Sequence, residues 1–230
     1  MSFNKIGFNK ILGAFPTLER DERLDLVQQL EENAQANIDF IMMMVLSTSL
    51  ASLGLLADST AVVIGAMLVA PLMGPLVAAG CSLVQGNLSL FRRSLAVILI
   101  GIGIGFAASL IFGALNPGFE PTLEIEARGK ADLLDLGIAF FSGMTAAYAI
   151  GRSHVMTTIA GVAIAAALVP PLAVVGLALT HGRPLISYNA AILLTTNLVA
   201  IILGAAIVFR MFDVHVSRRG TGLPIWVRRA

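Results

Sequence analysis

The stretch Ala70-Pro71-Leu72-Met73-Gly74-Pro75-Leu76 carries two prolines near the middle of a long apolar run. A second apolar run carries Leu168-Val169-Pro170-Pro171-Leu172 near its own middle. Each proline removes a backbone donor and clashes with the carbonyl four residues before it, so a helix through either run is expected to break or kink there. The chain is therefore predicted to contain two interrupted apolar helices.

The composition around these runs is typical of a protein embedded in a lipid bilayer. Of 230 residues, 57% are hydrophobic and 13% are charged, whereas soluble domains average about 45–50% and about 25%. The net charge of +1 excludes a strongly basic nucleic-acid-binding protein. The lone cysteine, Cys81, excludes an intramolecular disulfide framework.

Six apolar runs approach the length needed to cross a bilayer, about 20 residues. Their expected bounds are 40–57, 61–84, 95–115, 136–151, 159–179 and 190–209. Lys and Arg favour short cytoplasmic loops, and with the N-terminus inside, all of the 15 basic residues except Arg128, Lys130 and Arg183 lie on the cytoplasmic side. We therefore expect a multi-pass protein with both termini in the cytoplasm.

An internal repeat relates the two proline segments. A shift of 96 residues, which takes Pro75 to Pro171, aligns 65–86 with 161–182 and the first three spans with the last three. Three spans is an odd number, so the second copy must have the opposite orientation, as in many secondary transporters. The predicted fold is all-α, with six transmembrane helices in two inverted three-helix repeats and a proline-broken second helix in each repeat.

The membrane domain is expected to cover 40–211, with repeats at 40–115 and 136–211. Residues 1–39 are expected to form a cytoplasmic amphipathic segment, with a helix from Thr17 and an apolar stripe of Leu24, Val27 and Leu30. This helix either packs on the membrane domain or makes a regulatory or oligomer contact. Residues 116–132 are expected to be an exposed loop, and 212–230 a basic cytoplasmic tail.

The candidate site follows from the supply of hydrogen bonds. Carbonyl groups freed by prolines need partners from neighbouring helices, water or a translocated ion. Asn197 has an amide that its own helix cannot easily satisfy, so we expect an interhelical hydrogen bond or a substrate contact. The predicted path is lined by Pro71, Gly74, Pro75, Pro170, Pro171 and Asn197. The alternative is a pair of kinked helices sealed by packing.

Catalytic and metal centres are not expected. No Asp, Glu, Lys or Arg lies deep in any run, which disfavours proton pumping and voltage sensing. The three histidines, His154, His181 and His215, lie in separate loops without a nucleophile or metal-ligand spacing. We expect a protein that is not an enzyme and needs no cofactor.

Small residues recur at four-residue spacing within several runs. One such series is Gly101, Gly105, Ser109 and Gly113. This spacing makes a groove along which another helix packs closely. We expect a tight bundle and, because the grooves exceed what three helices need, a homo-oligomer.

Several motifs carry a resemblance to a known family. They are 58–76 with Arg92-Arg93-Ser94-Leu95 after it, Asp132-Leu-Leu-Asp135, 161–176, and Asn197-Leu-Val-Ala-Ile. Together they resemble the uncharacterised hydrophobic-domain family of prokaryotic membrane proteins, called domain of unknown function 389, over about residues 40–210. The resemblance implies a polytopic inner-membrane protein. The family has no assigned activity, so no functional residue is transferred.

Two functions remain open at this point, and an intramembrane enzyme is a third, the least favoured because no acid, base, nucleophile or metal set is visible. The first is a transporter or channel for a small solute or ion, with its path at the broken helices between the repeats. Without charge inside the spans, facilitated passage or Na⁺ coupling through backbone carbonyls is favoured over proton coupling. The second is a structural or regulatory component of a membrane complex without transport activity.

Overall fold

The computed structural model describes residues 20–117, 122–128, 132–151, 157–212 and 214, and all regular structure in these ranges is helical. The helices are α1 (Arg20–Asn33), α2 (Ile38–Leu56), α3 (Thr60–Val69), α4 (Met73–Gln85), α5 (Leu88–Ala114), α6 (Leu123–Arg128), α7 (Leu133–Gly151), α8 (Thr157–Thr180) and α9 (Pro184–Met211). The predicted all-α fold is confirmed for these ranges. Thr17, Lys130, His154, His215 and the tail from 215 lie outside them.

Four helices in the described ranges are long and apolar enough to cross a membrane, namely α2, α5, α7 and α9. Helices α3 and α4 together make a fifth candidate, bent by 58° at their junction. Helix α8 has 24 residues, of which Ala167–Thr180 form a shorter apolar segment. The described structure therefore contains four to five candidate spans, and the sixth stays a prediction.

Helix starts follow from asparagine caps. Asn37 Oδ1 accepts a hydrogen bond from the Phe40 N–H at 2.8 Å, and Asn87 Oδ1 accepts one from the Leu90 N–H at 3.1 Å. Such side chains satisfy amide groups that the first turn leaves unpaired. The cap at Asn87 places the start of α5 seven residues before the predicted span, so the exposed Arg92 and Arg93 lie within the helix.

Helices α4 and α8 end in the same way, at positions that the internal repeat aligns. Gly86 and Gly182 both have a φ of +65°, in the left-handed region that glycine adopts without strain. The same two backbone hydrogen bonds close both helix ends. In the first copy, the N–H groups of Gly86 and Asn87 donate to the carbonyls of Leu83 and Ser82. In the second copy, those of Gly182 and Arg183 donate to the carbonyls of Leu179 and Ala178. This pairing is a Schellman-type helix end. The repeat therefore has equal local structure at these two turns.

The predicted break in the first proline segment is confirmed. Helix α3 ends at Val69, and Ala70 is extended, with φ −70° and ψ 124°, as residues before proline tend to be. Pro75 is the third residue of α4, where a helix has no intrahelical use for an N–H. The break is therefore made at Pro71, and Pro75 fits a helix start.

The second proline segment does not break its helix. Pro170 and Pro171 lie inside the continuous helix α8. The prediction of a proline-broken second helix in each repeat is therefore wrong for the second repeat. Helix α8 is surrounded by α2, α3, α5, α7 and α9, and every residue from Ala167 to Val174 is buried. These neighbours hold the segment helical, and one of them replaces a lost hydrogen bond, as described below.

Helices α7 and α9 cross in backbone contact. Gly143 of α7 faces the carbonyl group of Ile201, and Gly204 of α9 faces that of Phe140. A Cβ atom at either glycine would overlap the facing carbonyl oxygen. The prediction of close packing through small residues is therefore confirmed within the chain.

The small-residue series on α5 is also filled from within the chain. Gly101 lies against Phe40 and Leu72, and Gly105 lies against Leu172 and Thr48. Further along the helix, Ser109 faces Gly176 and Gly113 faces Thr180. The interpretation of this groove as surplus surface for another subunit is wrong, because α2, α8 and the α3–α4 junction occupy it. The homo-oligomer itself stays a prediction.

Helix α1 packs on α4. Among its side chains from residue 25 onward, Leu26 and Leu30 are buried, followed by Ala34 after the helix, so Leu30 of the predicted stripe is buried and Leu26 joins it. Val27 is half-buried, and the side chain of Leu24 lies outside the described residues. The last residue of α1, Asn33, lies against Gly74. The alternative in which this segment packs on the membrane domain is therefore observed.

The loop predicted to be exposed docks on the turn between α2 and α3. Thr122 Oγ1 donates to the Leu55 carbonyl at 2.9 Å, and the Glu124 N–H donates to Asp58 Oδ1 at 3.2 Å. Ile125 is 3% exposed. Part of the expected loop is therefore the helix α6, whose backbone and one apolar side chain have partners in the bundle, while Leu123 and Glu126 are exposed.

Candidate functional site

The six predicted site residues lie in two neighbourhoods. In the first, Pro71 and Gly74 are half-buried and Pro75 is buried, at the α3–α4 junction. In the second, Pro170, Pro171 and Asn197 are buried where α8 meets α9. Gly74 faces Asn33 of α1. The junction therefore has the end of α1 on one side.

Asn197 supplies the hydrogen bond that Pro171 removes. Its Nδ2 donates to the Ala167 carbonyl oxygen at 2.9 Å, from α9 to α8. Ala167 is four residues before Pro171, so its carbonyl would accept from the N–H of residue 171 in an uninterrupted helix. The predicted interhelical bond of Asn197 is confirmed, and it explains how α8 tolerates the proline pair.

The same amide keeps an acceptor without a partner. Asn197 is 2% exposed, and its Oδ1 atom is buried with no hydrogen-bond partner. The orientation of the amide follows from chemistry, because a flipped amide would set Oδ1 against the Ala167 oxygen, two acceptors facing each other. The α8–α9 contact therefore contains a fixed, buried and unsatisfied carbonyl oxygen.

Ser47 plays the corresponding part at the first break. The Ala70 N–H donates to Met67 at 3.4 Å and leaves the Ala66 carbonyl without its helical donor. Ser47 Oγ donates to that carbonyl at 2.8 Å from α2. Sequence reasoning missed this role because hydroxyl groups in membrane helices usually bond to their own backbone. Thr48 and Ser49 do so here.

Both proline segments contact the same part of α5. Leu72, next to Pro71, lies against Gly101, and Leu172, next to Pro171, lies against Gly105. These glycines are four residues apart, about one turn of the helix. The two segments are thus brought together through α5, at the glycines that admit the leucine side chains.

Three apolar hollows, open to the surface to different degrees, lie between helices in the described parts of the bundle. The largest, about 600 Å³, lies between α7 and α9, and its lining includes Gly137, Phe140 and Val199. A second, about 380 Å³, lies towards the end of the same pair near Tyr148. The third, about 370 Å³, lies between α5, α8 and α9 and is lined in part by Leu172. None of these three is lined by the site prolines or by Asn197.

Metal-binding side chains do not cluster in the described residues. No group of three or more His, Cys, Asp or Glu in these ranges is arranged to hold a metal ion. The polar atoms at both proline segments are instead backbone carbonyls, a hydroxyl and an amide. Such a set can hold neutral donors or weakly coordinated ions, and it lacks an ionisable group for acid–base chemistry.

The four to five candidate spans, one of them broken, are typical of a polytopic helical membrane protein. So are the buried side chains of Ser47 and Asn197, which bond to carbonyls at the proline segments. The chain belongs to the family described as Domain of unknown function (DUF389), which matches residues 67–203 and so includes all six candidate residues. An uncharacterized protein of Methanocaldococcus jannaschii is 29% identical over 213 residues, 89% of this chain and 66% of that protein. No solved structure matches the chain.

Proposed function

We propose that the protein is a transporter or channel for a small solute or ion, with passage at the proline segments where the two halves meet. The observation that carries this proposal is the α3–α4 junction, where an apolar segment bends by 58° at Pro71. Interrupted helices build the sites of many secondary transporters, and in the described structure the first half has such an interruption while the second keeps a continuous helix with a proline pair. The meeting of both segments on α5 supports the same location.

The proposal includes six spans in two inverted repeats, in the cytoplasmic (inner) membrane of a prokaryote, with both termini in the cytoplasm. Helix α8 supplies the sixth span if its 24 residues cross the membrane. The matching ends of α4 and α8 support the repeat. The excess of Lys and Arg on one side supports the orientation. A homo-oligomer is part of the same proposal, without support from the filled α5 groove.

Flux measurements on purified protein in liposomes test this function. Pro71→Ala restores a donor and removes the restriction on Ala70, so we expect it to straighten the junction and reduce flux at least tenfold. Pro117→Ala, at an exposed loop proline, is the matched control and should keep wild-type flux. Equal flux in Pro71→Ala and wild type would contradict a path at the junction.

A structural or regulatory role without transport is the second candidate. Two observations favour it: Ser47 and Asn197 each satisfy a carbonyl at a proline segment, which is how kinks sealed by packing are built. This role predicts a folded wild-type protein with no flux under any ion or solute gradient. It also predicts loss of assembly with other membrane proteins when the bundle surface is altered.

A further inference from the structure

The α8–α9 contact has more hydrogen-bond acceptors than donors. Pro170 and Pro171 cannot donate to the carbonyls of Ala166 and Ala167, which lie four residues before them. Asn197 Nδ2 serves only Ala167 in the described structure, and Asn197 Oδ1 adds a further acceptor with no partner. Asn197 Oδ1 is thus a buried oxygen without a partner, beside two carbonyls that have lost their helical donors.

The oxygen acceptors at the α8–α9 contact favour a ligand with positive charge or with hydrogen-bond donors. An anion would face carbonyl oxygens, whereas a cation or a hydrogen-bond donor would meet the negative ends of their dipoles. Asp, Glu, Lys and Arg in the described long helices lie towards the helix ends, as with Asp39, Arg93 and Asp135. A divalent cation usually needs carboxylates, and none is buried beside Asn197 among the described residues. Neutral oxygens suit a small monovalent cation.

We propose that Asn197 Oδ1 and the proline-freed carbonyls of α8 bind a small monovalent cation, an alkali ion or ammonium. The inference rests on the proposed function in that it names the transported or coupling species. Asn197 has two roles in it: Nδ2 holds the amide against Ala167, and Oδ1 becomes a ligand. Helix α8 contributes the backbone oxygens of Ala166 and Ala167, which lose their helical donors at Pro170 and Pro171.

Binding is tested on the purified full chain in detergent, apart from transport. Thermal unfolding is measured in chloride salts of Li⁺, Na⁺, K⁺ and NH₄⁺ at equal ionic strength, with N-methylglucamine chloride as the bulky reference. We expect at least one small cation to raise the unfolding midpoint in a saturable way, and exchange of chloride for gluconate to leave it unchanged. The separate arms distinguish alkali ions from ammonium.

Two variants assign the effect to Asn197. Asn197→Leu should lose the cation-dependent shift, and Thr195→Val, on the same helix with a hydroxyl that bonds to its own backbone, should keep it. Asn197→Asp exchanges the Nδ2 donor for a second oxygen and adds a charge, so it loses the bond to Ala167 but should bind the cation more tightly. It serves as the second test if the leucine variant does not fold. A midpoint equal in all cations, an anion-dependent midpoint, or a cation shift that survives in Asn197→Leu would overturn the proposal.

The outcomes also separate this site from transport. A cation shift that depends on Asn197, in a protein without flux, supports the site and contradicts the proposed transport. Flux in a protein whose midpoint is indifferent to cations supports transport and overturns the cation site.

Discussion

At the scale of single residues, two side chains take over hydrogen bonds that the proline segments lose. Ser47 serves Ala66 and Asn197 serves Ala167, each from a neighbouring helix. Ser47 makes its bond with the one polar atom of its side chain, whereas Asn197 donates with Nδ2 and has a separate oxygen, Oδ1, that is buried without a partner. The two segments therefore differ chemically, and the one on α8 has the unsatisfied acceptor.

Ser47→Ala is expected to destabilise the bundle by about 0.6 kcal/mol and by no more than about 1.7 kcal/mol, the mean and the maximum measured for hydrogen bonds between membrane helices. The reason is that the Ala66 carbonyl loses its donor inside the protein. Ser49→Ala is the matched control, because Ser49 bonds to Val45 of its own helix and should change stability by about 0.5 kcal/mol or less. Chemical unfolding in detergent measures both, and equal stability of the two variants would contradict the role of Ser47.

The sequence allowed the prediction of Asn197 but not of Ser47. An amide cannot satisfy both its ends on its own helix, so its burial in an apolar run already demands a partner. Three hydroxyls follow one another at 47–49, and only the one that faces α3 bonds across helices. That choice depends on how α2 is rotated against α3, which residue types do not specify.

At the scale of elements, equal proline chemistry gives unequal results. Pro71 follows an extended Ala70 and is succeeded by a new helix start, so α3 and α4 separate. Pro170 and Pro171 have neighbours on all sides and a donor from α9, so α8 continues. The proline rule identifies where a helix loses bonds, and the tertiary surroundings decide whether it breaks.

Gly143→Ala is expected to destabilise the α7–α9 crossing by about 1–3 kcal/mol, the usual cost of overpacking. The added methyl group would overlap the Ile201 carbonyl, so the two backbones must separate. Gly137→Ala on the same helix meets open space and should be neutral or stabilising by about 0.5–1 kcal/mol, since alanine favours a helix. The free energies of unfolding of the two variants, measured side by side, test this. A Gly143→Ala variant as stable as the wild type would contradict the backbone contact at this crossing.

Element limits were predictable only in part. The apolar runs located α2, α5, α7 and α9, while the start of α5 at Leu88 required the cap at Asn87. Helix α6 was missed because its partners, Leu55 and Asp58, lie more than 60 residues earlier. The charged residues of this segment are typical of an exposed loop, and its composition does not predict the hydrogen bonds to Leu55 and Asp58.

At the scale of the whole molecule, the six-span topology predicts that α1 and α6 lie on opposite sides of the membrane. In a Cys81→Ala background, Gln28→Cys and Glu126→Cys, both at exposed positions, should label from the cytoplasmic and the external side respectively. A membrane-impermeant thiol reagent on intact cells and on inverted vesicles measures this. If both cysteines were labelled from the same side, the six-span topology and the inverted repeat would both be contradicted.

The most direct test of a path at the α3–α4 junction is the reaction of single cysteines with a small water-soluble methanethiosulfonate in proteoliposomes, again without Cys81. Ala70 and Met73 are half-buried at the junction, and Leu68 is 58% exposed on the apolar surface of α3. If the junction borders water, Ala70→Cys and Met73→Cys should react in the bilayer, and Leu68→Cys, facing lipid, should react only in detergent. If all three stay unreactive in the bilayer and react after mild unfolding, the junction is sealed, and the proposed path through it is contradicted.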